Sequence, residues 1–256
     1  MKRLAIMVVF ALMIFSCDKS NVQSKAVEDY STYEVREARF CKVQGLRVYN
    51  DDVGFSFIMP KGSLYNFGDG VVLDNYYVEV DVIPPEDFPD GVEEFESIKT
   101  ALKEKKYPNI PFGNPSGTIE YKKIQGTNVA IDMYRGFDIY DGEIGKRLVF
   151  ERNNRIILIY FTYFFEGPKP GDFSGPDRDV REEDLKNISV LMREIYLSYR
   201  QKIIKQKKEF GLGPYDSFYY YLEQDFRKGK LKNVLPEEVQ KLIIDFDTII
   251  NSLELK

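Results

Sequence analysis

Ile156-Ile157-Leu158-Ile159-Tyr160-Phe161-Thr162-Tyr163-Phe164-Phe165 is the stretch on which the fold turns. Its β-branched and aromatic residues suit an extended strand, yet apolar and polar positions do not alternate along it. Successive side chains of a strand point to opposite faces. A run that is apolar at both parities must therefore be covered from both sides. That predicts an antiparallel sheet with helices packed over it and excludes a sheet with one wet face. Immediately upstream, Asn153-Asn154 suits the positive φ of a tight hairpin turn, which pairs this strand with another over residues 146–152.

Strand patterns continue toward the N-terminus. Val53, Phe55, Phe57 and Met59 alternate with Gly54, Ser56 and Ile58, and the run stops at the turn sequence Pro60-Lys61-Gly62. Tyr76, Val78, Val80 and Val82 alternate with Tyr77, Glu79, Asp81 and Ile83, and Pro84-Pro85 ends that strand. Val92, Phe95, Ile98 and Leu102 then recur at helical spacing, with Asp90 or Gly91 as the cap and Glu93 and Glu94 in the first turn. Strands resume over residues 118–124, turn at Gln125-Gly126-Thr127, and continue through Val129, Ile131 and Met133.

Downstream, Leu185, Ile188, Met192, Ile195, Tyr199 and Ile203 trace a helical stripe. Asp216 can cap a short helix through Tyr219, Leu222 and Phe226, and Pro236 opens a last one bearing Val239, Leu242, Ile243, Phe246, Ile249, Ile250 and Leu253. The predicted class is α+β: an antiparallel sheet flanked by helices over residues 43–176, then a helical extension over 177–256.

The N-terminus reads as an address. Lys2 and Arg3 precede 12 consecutive apolar residues, 4–15. As a helix these would rise only about 18 Å, short of a hydrocarbon core of roughly 30 Å, which is the length of a signal peptide and not of a span. Ile14-Phe15-Ser16-Cys17 resembles a bacterial lipobox, and the chain turns abruptly polar after it, at Asp18-Lys19-Ser20-Asn21. The resemblance implies that residues 1–16 are removed as a lipoprotein signal peptide and that Cys17 carries diacylglycerol. The membrane is then held through an N-terminal lipid, with the protein in the bacterial cell envelope, periplasmic or surface-exposed. Residues 17–42 form a polar tether, with a fraying helix over 34–39. Cys41 is left without a disulfide partner and is expected as a small buried residue.

Between residues 45 and 165 the order of elements resembles the PsbP/Mog-like fold. The likeness rests on Gly54-Phe55-Ser56-Phe57-Ile58-Met59-Pro60-Lys61-Gly62, the helix after the next strand, the turn after Ile124, and the closing hairpin. It implies a non-enzymatic binding or assembly protein, an expectation carried by analogy of fold.

The composition narrows the chemistry. With no His among 256 residues, Ser-His-Asp and Cys-His nucleophiles and His-containing zinc sites are excluded. The formal charge of −5 becomes −7 once Lys2 and Arg3 leave with the signal peptide, which argues against nucleic acid as a partner. No motif asks for a cofactor or a metal: the loop 172–183 lacks the glycine of a calcium loop, and residues 142–147 lack the spacing of a phosphate loop.

Asp132, Asp138, Asp141 and Glu143 are the acids that a carboxylate-dependent envelope hydrolase would use, although Asp141-Gly142 reads first as a turn. Lys202, Lys205, Lys207 and Lys208 read as the solvated end of a helix, with an anionic membrane as the other reading. Phe218, Tyr219, Tyr220 and Tyr221 are too dense for one helix face and form the candidate partner surface. The expected role is a lipid-anchored, non-catalytic binding or assembly module with a protein partner in the envelope. A small-ligand lipoprotein, with an apolar pocket between sheet and extension, is the other binding alternative.

Overall fold

The computed structural model describes residues 29–68, 76–106, 114–115, 119–137, 141–166, 223–231, 235 and 237–256. In chain order the strands are β1 (Val35–Glu37), β2 (Lys42–Gln44), β3 (Arg47–Asn50), β4 (Phe55–Ile58), β5 (Leu64–Tyr65), β6 (Tyr76–Ile83), β7 (Asn114–Pro115), β8 (Glu120–Ile124), β9 (Thr127–Phe137), β10 (Asp141–Arg152), β11 (Arg155–Glu166) and β12 (Glu254–Leu255). Helix α1 (Gly91–Glu104) follows β6, and a C-terminal helix (Glu237–Ser252) precedes β12. The content is mixed α+β, as the sequence patterns predict.

The strands form two sheets. The larger runs β5-β6-β11-β10-β9-β7, with β8 also on β9, and is antiparallel except where β5 lies parallel to β6. The smaller runs β1-β2-β3-β4-β12 and is antiparallel throughout. Strand β11 is central in the larger sheet, and its two parities face two different cores. Ile156, Leu158 and Tyr160 join Phe95, Ile98 and Leu102 of α1. Ile157, Ile159, Phe161 and Tyr163 join Phe55 and Phe57 of the smaller sheet and Leu242, Ile243 and Phe246 of the C-terminal helix. Residues 156 to 159 are each 0% exposed, and full burial of such a side chain contributes about 1.5–3 kcal/mol. Covering on both faces is what the doubly apolar run requires.

The hairpin turn forms where Asn153-Asn154 places it, with φ of 47° and 58°. The turn at Gln125-Gly126 likewise has positive φ at both residues.

Three features differ from the sequence expectation. One face of the larger sheet is covered by a second sheet as well as by a helix, because β4 pairs with β3 and β12 and not with the larger sheet. Residues 35–37 are an edge strand in register with β2 and not a fraying helix. A helix that short with no buried face lacks the packing that would offset its nucleation cost, whereas β2 offers its backbone partners. Finally, Leu253 lies one residue past the C-terminal helix, and the chain continues into β12. There the Lys256 N–H donates to the Gly54 carbonyl at 2.8 Å. Gly54 has a φ of +82°, and a Cβ on it would stand 2.8 Å from the Lys256 oxygen, so only glycine fits this crossing.

Candidate functional site

Covering β10 on both faces leaves its two adjacent cations, Lys146 and Arg147, in opposite cores. Arg147 lies on the α1 face, where strict register sets up a polar row across four strands: Asp132 of β9, Arg147 of β10, Tyr160 of β11 and Glu79 of β6. Arg147 donates from Nε to Asp132 Oδ1 and from Nη2 to Oδ2, both at 2.9 Å, in a bidentate fork. It also hydrogen-bonds Tyr160, whose hydroxyl is pushed up mainly by burial. Burial likewise pushes the Asp132 carboxyl up, and Arg147 pulls it back. Nearby, opposite Ala130, Tyr121 lies against α1, its hydroxyl donating to the Lys106 carbonyl while burial pushes it up to about 12.

Lys146 points into the other core. Its Nζ lies 2.5 Å from Glu223 Oε1 and 5.1 Å from the centre of the Phe246 ring. Glu223 also accepts from Arg227 Nε at 2.8 Å, and Arg227 grips Asp247 of the C-terminal helix at 2.8 and 3.0 Å. Burial pushes the Lys146 ammonium down, and Glu223 pulls it back up. This chain of charges ties residues 223–227 and the C-terminal helix to the larger sheet.

A cleft of about 290 Å³ opens where β1 and β2 meet the loop after β3. Cys41, Val53 and Val82 form its floor, and charged residues of both signs, Arg39 and Arg155 against Glu37 and Asp51, stand around it. Its walls are clamped. Asn50 donates from Nδ2 to the Phe40 carbonyl at 2.7 Å and accepts at Oδ1 from the Val53 N–H at 2.8 Å. Asn153 donates to the Val53 carbonyl at 3.0 Å. The Arg39 guanidinium is close enough to pull down Asp81, which burial pushes up. At the floor, the Cys41 thiol donates to the Tyr65 hydroxyl at 2.9 Å, and burial pushes that thiol up to about 11. A thiol held protonated is a poor nucleophile.

Of the residues singled out by sequence, Cys17 lies outside the described residues, as do Phe218, Tyr219, Tyr220, Tyr221, Asp138, the lysine group at 202–208 and the loop 172–183. Asp141 and Glu143 are placed only as backbone positions of β10, opposite Glu166 and Phe164 of β11. Asp132 is buried with both carboxylate oxygens held by Arg147. Residues 142–147, which lack the spacing of a phosphate loop, are strand. Where the C-terminal helix meets the larger sheet, Phe246 stacks on Phe161 with centroids 6.4 Å apart. Among the described residues, no group of three or more Cys, Asp or Glu side chains could hold a metal ion.

Sequence reasoning missed Lys146, Arg147, Glu223, Arg227 and the Asn50 clamp. A signal existed for the two cations, since charges inside a strand covered on both faces require buried partners. Nothing local indicates which partners. Set against known proteins, the chain matches no family model and no curated protein.

Proposed function

We propose that this chain is a lipid-anchored, non-catalytic binding or assembly module of the bacterial cell envelope, held to the membrane through Cys17 and built on a PsbP/Mog-like domain. The observation that carries the binding reading is the clamped cleft above Cys41. Its walls are fixed by Asn50 and Asn153 while Arg39, Arg155, Glu37 and Asp51 stand around it. A preformed recess with a small apolar floor and a charged margin favours recognition at low ordering cost. The fork on Asp132 adds support, because a carboxylate with both oxygens committed to an arginine is poorly suited to acid–base work.

The order of an antiparallel sheet, a helix after β6 and a closing hairpin is compatible with the PsbP/Mog-like reading. The cleft also favours a second reading, a small-ligand-binding lipoprotein, since its volume lies near the lower end of small-molecule sites.

Labelled palmitate should enter the wild type and not Cys17→Ala, and equal labelling would remove the anchor from the proposal. In-cell crosslinking of wild type, Cys17→Ala and Arg39→Glu tests the rest. A dominant partner lost in both variants supports an anchored assembly role through the cleft. Crosslinks that are unchanged in Arg39→Glu would take the cleft out of the interface.

A further inference from the structure

Strand β6 is covered along only part of its outer edge. Strand β5 pairs with it at Tyr77 and Val78, and the Asn66 N–H donates to the Val78 carbonyl at 2.8 Å. Backbone groups of alternate residues in a strand point the same way, so the N–H and C=O of Val80 and Val82 also turn away from β11, toward the edge that β5 occupies. There the Val80 backbone meets the Tyr65 hydroxyl. Val82 has no backbone partner on that side among the described residues, and it lines the cleft above Cys41. The cleft lies along this same edge: Cys41 in its floor reaches Tyr65 of β5, and Arg39 at its margin acts on Asp81, the neighbour of Val82.

An open sheet edge is a template for another strand, and folded proteins ordinarily cover or disrupt it. The edge of β12 is covered here, since the Leu255 N–H donates to Gln125 Oε1 from the β8–β9 turn. At Val82 the edge faces a recess instead. The charges around that recess are also uncommitted. Glu37, Arg39, Lys42, Asp51, Asp52 and Arg155 line it and form no ion pair among the described residues, whereas Lys99, Lys106 and Lys230 each pair with an acid close in sequence. The Arg39 guanidinium is held instead over the Phe40 ring, 4.7 Å from its centre.

We propose that the cleft takes an extended segment of a partner protein, which adds to β6 as a strand beyond β5 through the N–H and C=O of Val82. Main-chain hydrogen bonds give such an addition its affinity, and pockets for alternate side chains give it selectivity. The floor of Cys41, Val53 and Val82 suits a small apolar side chain, and the free charges of both signs suit a segment that carries both. A ligand without a peptide backbone leaves the two groups of Val82 unmatched, which favours a polypeptide. The inference rests on the cleft as the binding surface and names what enters it.

Peptides selected on the full chain from a displayed random library serve as probes, with affinities measured by fluorescence anisotropy and amide exchange followed residue by residue. In the free chain the Val82 amide should exchange faster than those of Asp81 and Ile83, which register turns toward β11. Bound peptide should slow Val82 and leave the other two unchanged. Val82→Pro removes that N–H at an edge position where proline is tolerated, and it should weaken binding about tenfold. Peptides that lose affinity in Arg39→Glu but bind Val82→Pro as tightly as wild type overturn the strand addition and leave the cleft as the binding surface. A library that yields no saturable peptide also overturns it, and the in-cell crosslinks of Arg39→Glu then decide the cleft separately. Protection of Val82 that rises with protein concentration alone assigns the edge to a second copy and overturns the partner assignment. Should Val82→Pro unfold, the Val82 exchange of the wild type with and without peptide decides the question in its place.

Discussion

Lys146 and Arg147 are neighbours in the chain and face two differently built cores. Arg147 finds its partner one strand away, at the residue that register places directly opposite, only 15 positions back in the sequence. Lys146 finds Glu223 77 positions on, in a segment that Arg227 ties to Asp247 of the C-terminal helix. The first pair is therefore set by the β9–β10 register itself. The second depends on tertiary closure, and it shares its acid with Arg227, so that charge is balanced across four residues on β10, the 223–227 segment and the C-terminal helix. Buried ion pairs are weak sources of net stability but costly to break, so the two faces should respond differently to the same kind of substitution.

Arg147→Met should have the largest effect, about 3–5 kcal/mol of lost stability, because it leaves Asp132 buried without its partner. Adding Asp132→Leu should recover most of that loss. Urea midpoints of the single and double variants measure both, and a cost below about 1 kcal/mol for the single change would contradict the fork's role. Lys146→Met should cost less, about 2–3 kcal/mol, since Glu223 retains Arg227. The accompanying signature should be faster amide exchange over residues 223–227, with β9–β10 protection kept. If exchange rises in β9 instead, the two faces are not independent.

The third and smallest effect concerns Cys41 and Tyr65, a neutral pair that joins the β1–β2 region to the larger sheet. The folded thiol titrates near 11 against an ordinary value near 9.0. Its contribution is thus fully present below about pH 9 and is lost as pH rises through about 11, because the unfolded chain gives up its proton first. The Cys41 share of the decline should be on the order of 2 kcal/mol, measured as urea midpoints across that range, and Cys41→Ala should make the decline shallower while leaving the part contributed by the raised Tyr65, Tyr121 and Tyr160 hydroxyls.

The sequence made the two-sided burial of β11 legible, because ten residues without alternation permit no other arrangement. Val78, Val80 and Val82 on one side of β6, and Phe95, Ile98 and Leu102 on one side of α1, were legible for the same reason. The separate smaller sheet was not. Strand β4 has the alternation of a strand, but periodicity does not say which edge it pairs with, and β12 is two residues long and carries no pattern at all. The cleft was invisible because Asn50 and Asn153, which hold its walls, look like ordinary turn residues.

Strand β12 also bears on the timing of folding. Strand β4 has β3 on one side and residues 254–255 on the other, nearly 200 positions later. Residues 254–255 are made long after residues 55–58, so Phe55 and Phe57 stand beside an open strand edge until they arrive, and the smaller sheet can be completed only then. Contacts of such long sequence separation slow folding and prolong the exposure of sticky edges. For a chain exported as we propose, that delay keeps it in a form that can still be threaded.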